Sequence, residues 1–291
     1  YVMQKGDDAQ EGTPLLERGT KLRAQEIGLL AALGITEVPV IRRPRVSILS
    51  TGDELVSPEQ TPRPGQIRDV NTLALSAMLR PVADVSTFGI APDRLTASLK
   101  AALAGENGLP ADVVFLSGGS SIGVRDLTLE ALQSLGDTEI LCHGVALSPG
   151  KPLILARCGQ TLVWGLPGQV ASAQVVMHVL GVPFLRHLAG HSLMAQFFGQ
   201  GNFRYGHAFD QTFWPSRQAI LSRNIASRQG REDYIRVRLE HQANGLPRAV
   251  PVPGLSGLLR TLLDSEGLVR ISARIEGLEA GTPVDVLLFE S

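Results

Sequence analysis

Three turns rich in small residues, each directly after an apolar run, carry the groups able to do chemistry. They are Ser50-Thr51-Gly52-Asp53-Glu54, Ser117-Gly118-Gly119-Ser120-Ser121-Ile122-Gly123 and Gly165-Leu166-Pro167-Gly168. Glycine lets backbone approach a ligand closely, and successive outward N–H groups make a concavity that receives anions. A phosphate-bearing ligand suits such a surface, although one such turn alone is explained as well by a tight strand-to-helix connection. Carboxylates accompany the turns: Asp53 and Glu54 sit inside the first, and Asp69, Asp93 and Asp126 stand where helices are expected to begin. A phosphate site containing carboxylates needs a cation between them, and Mg²⁺ takes carboxylate, phosphate and water oxygens together. Helix capping accounts equally well for Asp93 and Asp126 taken singly. In Ser148-Pro149-Gly150-Lys151-Pro152 two prolines stiffen the mount of one positive charge, which then meets an anion or is simply a solvated loop lysine.

Other pairings are weaker. His187 and His191 have the spacing of a metal pair, but Gly190 interrupts them and no third ligand is near. Cys142-His143 looks like a nucleophile beside a base, yet neighbours in a strand face opposite ways, which favours a core Cys and a surface His. Arg228, Arg231, Arg236 and Arg238 either line an anion pocket or solubilise a β surface.

The elements that must position these groups follow from the apolar pattern. Runs 45–49, 112–116 and 161–164 are continuous in β-formers rather than alternating, which predicts buried parallel strands. All three turns then fall at the carboxyl edge of one sheet, where open α/β folds bind ligands. Asn71, Asp93 and Asp126 are the expected N-caps of helices over 72–79, 94–103 and 127–135, and a longer helix is expected after Gly168. Residues 1–43 read as a mixed tail with a helix from Arg23 to Leu33 stopped by Gly34, 44–190 as an α/β domain, and 191–217 as a connection or insertion. From 218 to 291 short β runs predominate, with a short helix over Ser256–Leu263.

Composition narrows the class. With 291 residues, 44% of them hydrophobic, and a net charge of −1, the chain is a globular protein with room for two or three cored units. Lys+Arg 27 against Asp+Glu 28 gives no basic surface for nucleic acid. No apolar run reaches the roughly 20 residues that span a bilayer. Two cysteines, Cys142 and Cys158, are too few for a disulfide framework and point to a reducing, cytoplasmic setting. A chain that opens on Tyr1 without a signal-peptide layout reads as part of something longer.

The motifs resemble, in order and spacing, those of the molybdopterin molybdenumtransferases, the family of bacterial MoeA and the gephyrin E domain. The residues concerned are 50–55, Gly65-Gln66-Ile67-Arg68-Asp69-Val70-Asn71, 117–126, Pro149-Gly150-Lys151-Pro152 and 165–168, with a looser match through Gly230-Arg231-Glu232-Asp233-Tyr234. The resemblance implies a doubly wound molybdopterin-binding domain with a parallel or mixed sheet, followed by a small barrel-like β domain. It implies insertion of molybdate into adenylylated molybdopterin, with Mg²⁺-assisted release of AMP. By that resemblance Asp126 is the catalytic and metal-linked carboxylate, supported by Glu54 and Asp93. Cofactor-binding positions are Thr51, Gly52, Asp53, Asp69, Asn71, Ser117, Gly118, Gly119, Ser121, Pro152, Pro167 and Gly168, with Lys151 and Ser172 toward molybdate. The implied partners are a second copy in a homodimer, the pterin nucleotide, the molybdopterin adenylyltransferase and recipient molybdoenzymes.

Three motifs depart from the family pattern. Ser148 stands where a Lys is usual, Gln169-Val170-Ala171 where Asn-Pro-Val is usual, and Val124 where an acidic residue is usual. A lysine lost from an anion pocket removes on the order of 1–3 kcal/mol of charge-assisted contact. The departures therefore point to weaker molybdate handling, another oxyanion such as tungstate, or a paralogue that binds molybdopterin without efficient insertion. An adenylyltransferase acting on the same pterin is the enzymatic rival.

Overall fold

A computed structural model describes residues 4, 6–91, 95–118, 122–190 and 215–289, with 122–126 entering as backbone only. Helix α1 (Ala24–Ala32) starts where Arg23 and Glu26 bond reciprocally, and the chain turns away at Gly34, whose φ of +74° suits glycine. The α/β part then runs β1 (Arg45–Thr51), the short pair β2 (Leu55–Val56) and β3 (Ile67–Arg68), α2 (Asn71–Leu79), β4 (Asp84–Ala91) and α3 (Leu95–Ala104). It continues with β5 (Val113–Gly118), α4 (Ile122–Gln133), β6 (Thr138–His143), β7 (Leu147–Ser148), β8 (Ile154–Cys158) and β9 (Thr161–Leu166). After Gly168 come α5 (Val170–Val176) and α6 (Val182–Leu188), joined by a π-helical turn at Met177–Gly181. Pro183 explains that turn, because its missing N–H cannot continue the α-helical ladder.

The six-stranded sheet has the order β4-β1-β5-β9-β8-β6. Its first four strands are parallel, whereas β8 and β6 run antiparallel to their neighbours. The sheet is mixed because Gly159 and Gln160 alone join β8 to β9, and a two-residue hairpin leaves no length for a crossover. Alternate residues of the central strands feed two cores. Val46, Ile48, Val113 and Phe115 face one, and Leu49, Val114 and Leu116 face the other. This two-sided burial is why these runs are continuously apolar.

The C-terminal part contains β10 (Ser216–Leu221), β11 (Ile225–Ala226), β12 (Glu232–Glu240), β13 (Arg248–Pro251), α7 (Arg260–Leu263), β14 (Gly267–Ile271), β15 (Gly277–Leu278) and β16 (Pro283–Leu288). Strands β13-β10-β16-β14-β12 form a ladder that closes through β12–β13 pairing, giving a five-stranded barrel. Ala219, Val237, Leu239, Ala249, Val269 and Val286 fill it. Its outer face is not independent: Tyr234, Leu268 and Leu287 pack into the same core as Val46 and Phe115. The short strand β7 adds in parallel to the start of β12, so one hydrogen-bonded ladder crosses between the two parts.

Some expectations shift. The helix expected over Ser256–Leu263 is confined to α7, and β10 begins inside the expected connection, of which residues 191–214 lie outside the described residues. Among the described residues no helix is long and apolar enough to cross a membrane.

Candidate functional site

The carboxyl ends of β1, β5 and β9 are neighbours in register, Thr51 beside Gly118 and Ser117 beside Leu166. The three small-residue turns therefore leave the sheet at one edge. The first turn of α2 ties them together. Asn71 Nδ2 donates to Ser117 Oγ at 2.6 Å and to the Gly168 carbonyl at 2.9 Å, spanning two of the turns with one amide. Thr72 Oγ1 lies 2.9 Å from Ser50 Oγ, which brings in the strand that carries the third. Asn71, Ser117, Thr51 and Asp69 are all buried here, and Asn71 Oδ1 has no partner among the described residues.

The expected caps need correction. Asn71 does not cap α2 but is its first residue, because Val70 already has helical backbone angles. Asp69 takes the capping role: its carboxylate accepts the Thr72 N–H at 3.2 Å and the Thr72 hydroxyl at 2.6 Å. Asp126 does not cap a helix either, since α4 begins at Ile122, inside the expected second turn, and runs through Asp126. Its side chain, with Asp93, Gly119 and Ser121, lies outside the described residues.

Those positions bear on the metal. Asp69 is committed to Thr72 through both oxygens and does not suit a cation. Glu54 suits one better. Its carboxylate folds back over Gly52, where an added Cβ would come within 2.7 Å of Glu54 Oε2, and Gly52 has φ +147°. Asp53 is exposed beside it. Among the described residues no group of three or more His, Cys, Asp or Glu side chains gathers. Beside the first turn an open groove of about 480 Å³ is lined by Leu55, Ser57, Gln60, Asp69, Leu73 and Ile90.

The lysine loop leaves β7. Gly150 has φ +132°, and a Cβ there would lie 2.5 Å from Val176 Cγ2 and 2.6 Å from Leu147 Cδ2, so only glycine fits between them. The Lys151 carbonyl accepts the Val145 N–H at 2.9 Å, and the Lys151 side chain is exposed next to half-buried Pro152. Pro167 and Ser172 are buried, the latter in the first turn of α5. The Ala171 N–H in that turn donates to the Ser256 carbonyl at 2.9 Å, so the loop after β13 touches the segment following Gly168.

Sequence reasoning missed Asp233. It is 3% exposed, faces Ser148 across the β7–β12 pairing, accepts from Ser227 Oγ at 2.5 Å and pairs with Arg231 Nε at 3.1 Å. Burial pushes its carboxyl up, but the hydroxyls of Ser227 and Ser148 and the Arg231 guanidinium outweigh that and hold it below the usual carboxylate range. The signal was Gly230 to Tyr234, a charged run in a strand with a buried face. The other arginines separate: Arg236 is buried and donates to the Gly254 carbonyl at 2.8 Å, Arg238 pairs with Glu240 at the surface, and Arg228 is exposed. In β6 the Cys142 side chain is half-buried and donates to the Gly144 carbonyl at 3.1 Å, while His143 is exposed. His187 lies in the last turn of α6, and His191 lies outside the described residues.

Comparison with known proteins matches residues 47–187 to the probable molybdopterin binding domain and residues 218–289 to the MoeA C-terminal region, domain IV. Molybdopterin molybdenumtransferase 2 of Mycobacterium tuberculosis is 30% identical over 301 residues, covering 98% of this chain and 66% of that protein. The molybdopterin molybdenumtransferase of Nostoc sp. is 41% identical over 197 residues, covering 65% of this chain and 44% of that protein. Two molybdopterin biosynthesis MoeA structures from Pyrococcus horikoshii superpose with TM-scores of 0.77 and 0.67 at 31% and 25% identity. They cover 99% and 98% of this chain, and the chain covers 65% and 64% of theirs. The chain thus spans about two thirds or less of the length of these relatives.

Proposed function

The chain belongs to the MoeA family of molybdopterin molybdenumtransferases, and from that premise we propose that it acts in molybdenum cofactor biosynthesis, inserting molybdate into adenylylated molybdopterin with release of AMP. The observation that carries the reading is the Asn71 tie, which holds two glycine-containing turns at one sheet edge beside the third. In this reading backbone N–H groups of Gly52, Gly118, Gly119 and Gly168 and the hydroxyls of Thr51, Ser117 and Ser121 receive the phosphates. Asn71 and Asp69 hold those turns rather than touch the reaction. Lys151 with its neighbour Pro152, and Ser172 beyond Pro167, face the oxyanion.

Mg²⁺, when bound, would neutralise the pyrophosphate as water cleaves its P–O–P bond to release AMP and leave the pterin phosphate, with Glu54 the described donor that fits it and Asp53, Asp93 and Asp126 as further carboxylates. The family reading also carries a homodimer as its assembly. The test is AMP release from adenylylated molybdopterin by the whole protein with Mg²⁺, with and without molybdate. Release that depends on molybdate supports the reading, and pterin binding with no release sinks it. One observation favours that second outcome, a pterin binder without efficient insertion: the position where the family usually has a lysine carries the neutral Ser148, facing Asp233 across the β7–β12 pairing.

A further inference from the structure

We propose that Ser148 and Asp233 form a latch between the barrel and the lysine loop, making Asp233 a positioning residue for Lys151. The inference rests on the reading above, in which Lys151 meets the oxyanion. In the β7–β12 pairing Asp233 stands opposite Ser148, which puts both side chains on one face; the nearby Ser148 hydroxyl helps to lower the Asp233 carboxyl, whose buried Oδ1 has no hydrogen-bond partner among the described residues and is the acceptor open to it. Asp233 is held in turn by Ser227 Oγ at 2.5 Å and by the Arg231 guanidinium, Nε at 3.1 Å and Nη2 at 3.4 Å. Its charge is thus balanced within the barrel, and its position is fixed before the loop docks.

The two residues after Ser148 transmit that position. Pro149 has a fixed φ, and Gly150 is boxed between Val176 and Leu147, so the chain has little freedom before it reaches Lys151. The Lys151 carbonyl is then fastened to the Val145 N–H, leaving the exposed side chain as the mobile part. A lysine with its base fixed loses less entropy on meeting an anion than one on a wandering loop. The latch therefore acts on oxyanion affinity rather than on the bond-breaking step.

The experiment measures molybdate-dependent AMP release and amide hydrogen exchange over residues 145–152 in the whole protein and in Ser148→Ala, Ser148→Thr, Asp233→Asn, the Ala/Asn double variant and Lys151→Ala. Expected are a roughly three- to tenfold rise in molybdate KM for Ser148→Ala with kcat held, faster exchange in the loop, and recovery in Ser148→Thr. Asp233→Asn should add little once Ser148 is Ala, since the two act as one contact. If Asp233→Asn fails to fold, Ser148→Ala and Ser148→Thr decide alone. Wild-type KM and exchange in Ser148→Ala, while Lys151→Ala raises KM, overturn the latch. An unchanged KM in Lys151→Ala overturns instead the assignment of Lys151 to the oxyanion.

Discussion

The sheet edge and the seam with the barrel both hold polar groups in place for a ligand, and they do so by opposite means. At the edge a neutral amide, Asn71, joins Ser117 to Gly168 within one layer of structure. At the seam a buried charge, Asp233, holds Ser227 and Arg231 and faces Ser148 of the other part across the β7–β12 pairing. Neutral ties lose a modest amount when cut, whereas a buried carboxylate leaves its cation and hydroxyls stranded when removed. The seam should therefore be the more brittle of the two, and the more sensitive to charge.

The sharpest way to break that contrast is Asp233→Ala. It should cost about 2–4 kcal/mol, below the full figure for a buried pair because Arg231 is 39% exposed, read from the urea midpoint. Next comes acidification at a second contact between the two parts, where His178 meets the ring of Phe289 edge-on at 5.1 Å. Burial, with some help from Arg186, holds His178 down to about 4 from the ordinary 6.5. The unfolded chain therefore takes the proton first, so stability is complete above about pH 6.5 and declines as pH falls toward 4. Thermal melts across that window should show a shallower decline in His178→Phe, and an identical slope would remove His178 as the cause.

A smaller loss, about 1–2 kcal/mol, is expected for Asn71→Ala. Faster hydrogen exchange should accompany it at both the Ser117 and the Gly168 turns, and exchange confined to one of them would show that the tie is not shared. The smallest change is expected for Arg238→Ala. Its pair with Glu240 is 53% and 43% exposed, so urea titration should find less than about 0.5 kcal/mol. A larger loss there would blur the distinction between buried and exposed charge on which the comparison depends.

Much of this architecture was legible in the residues themselves. Strands 45–49, 112–116 and 161–164 declared themselves because they are covered on both faces, and that fixed the three turns at one edge. The antiparallel end of the sheet did not, because Gly159-Gln160 is an ordinary pair in sequence and only its pairing partners make it a hairpin. Asn71 was found but misread: an Asn before an apolar helical run is a typical cap, and its two acceptors are 46 and 97 residues away. Asp126 was misplaced for the converse reason, since α4 starts without a pause after a run of small residues. Asp233 was overlooked because Ser148 becomes its neighbour only when β7 joins the barrel.

That joining has one more consequence. Strand β12 pairs with β14 along Asp233–Val237 on one side, and shares the other between β7 at Glu232–Asp233 and β13 at Val237–Glu240. Were β7 to peel off, only a stub of two residues would be newly unpaired, too short to recruit a strand from another molecule. The protein can loosen its grip on the lysine loop without offering neighbours a sticky border.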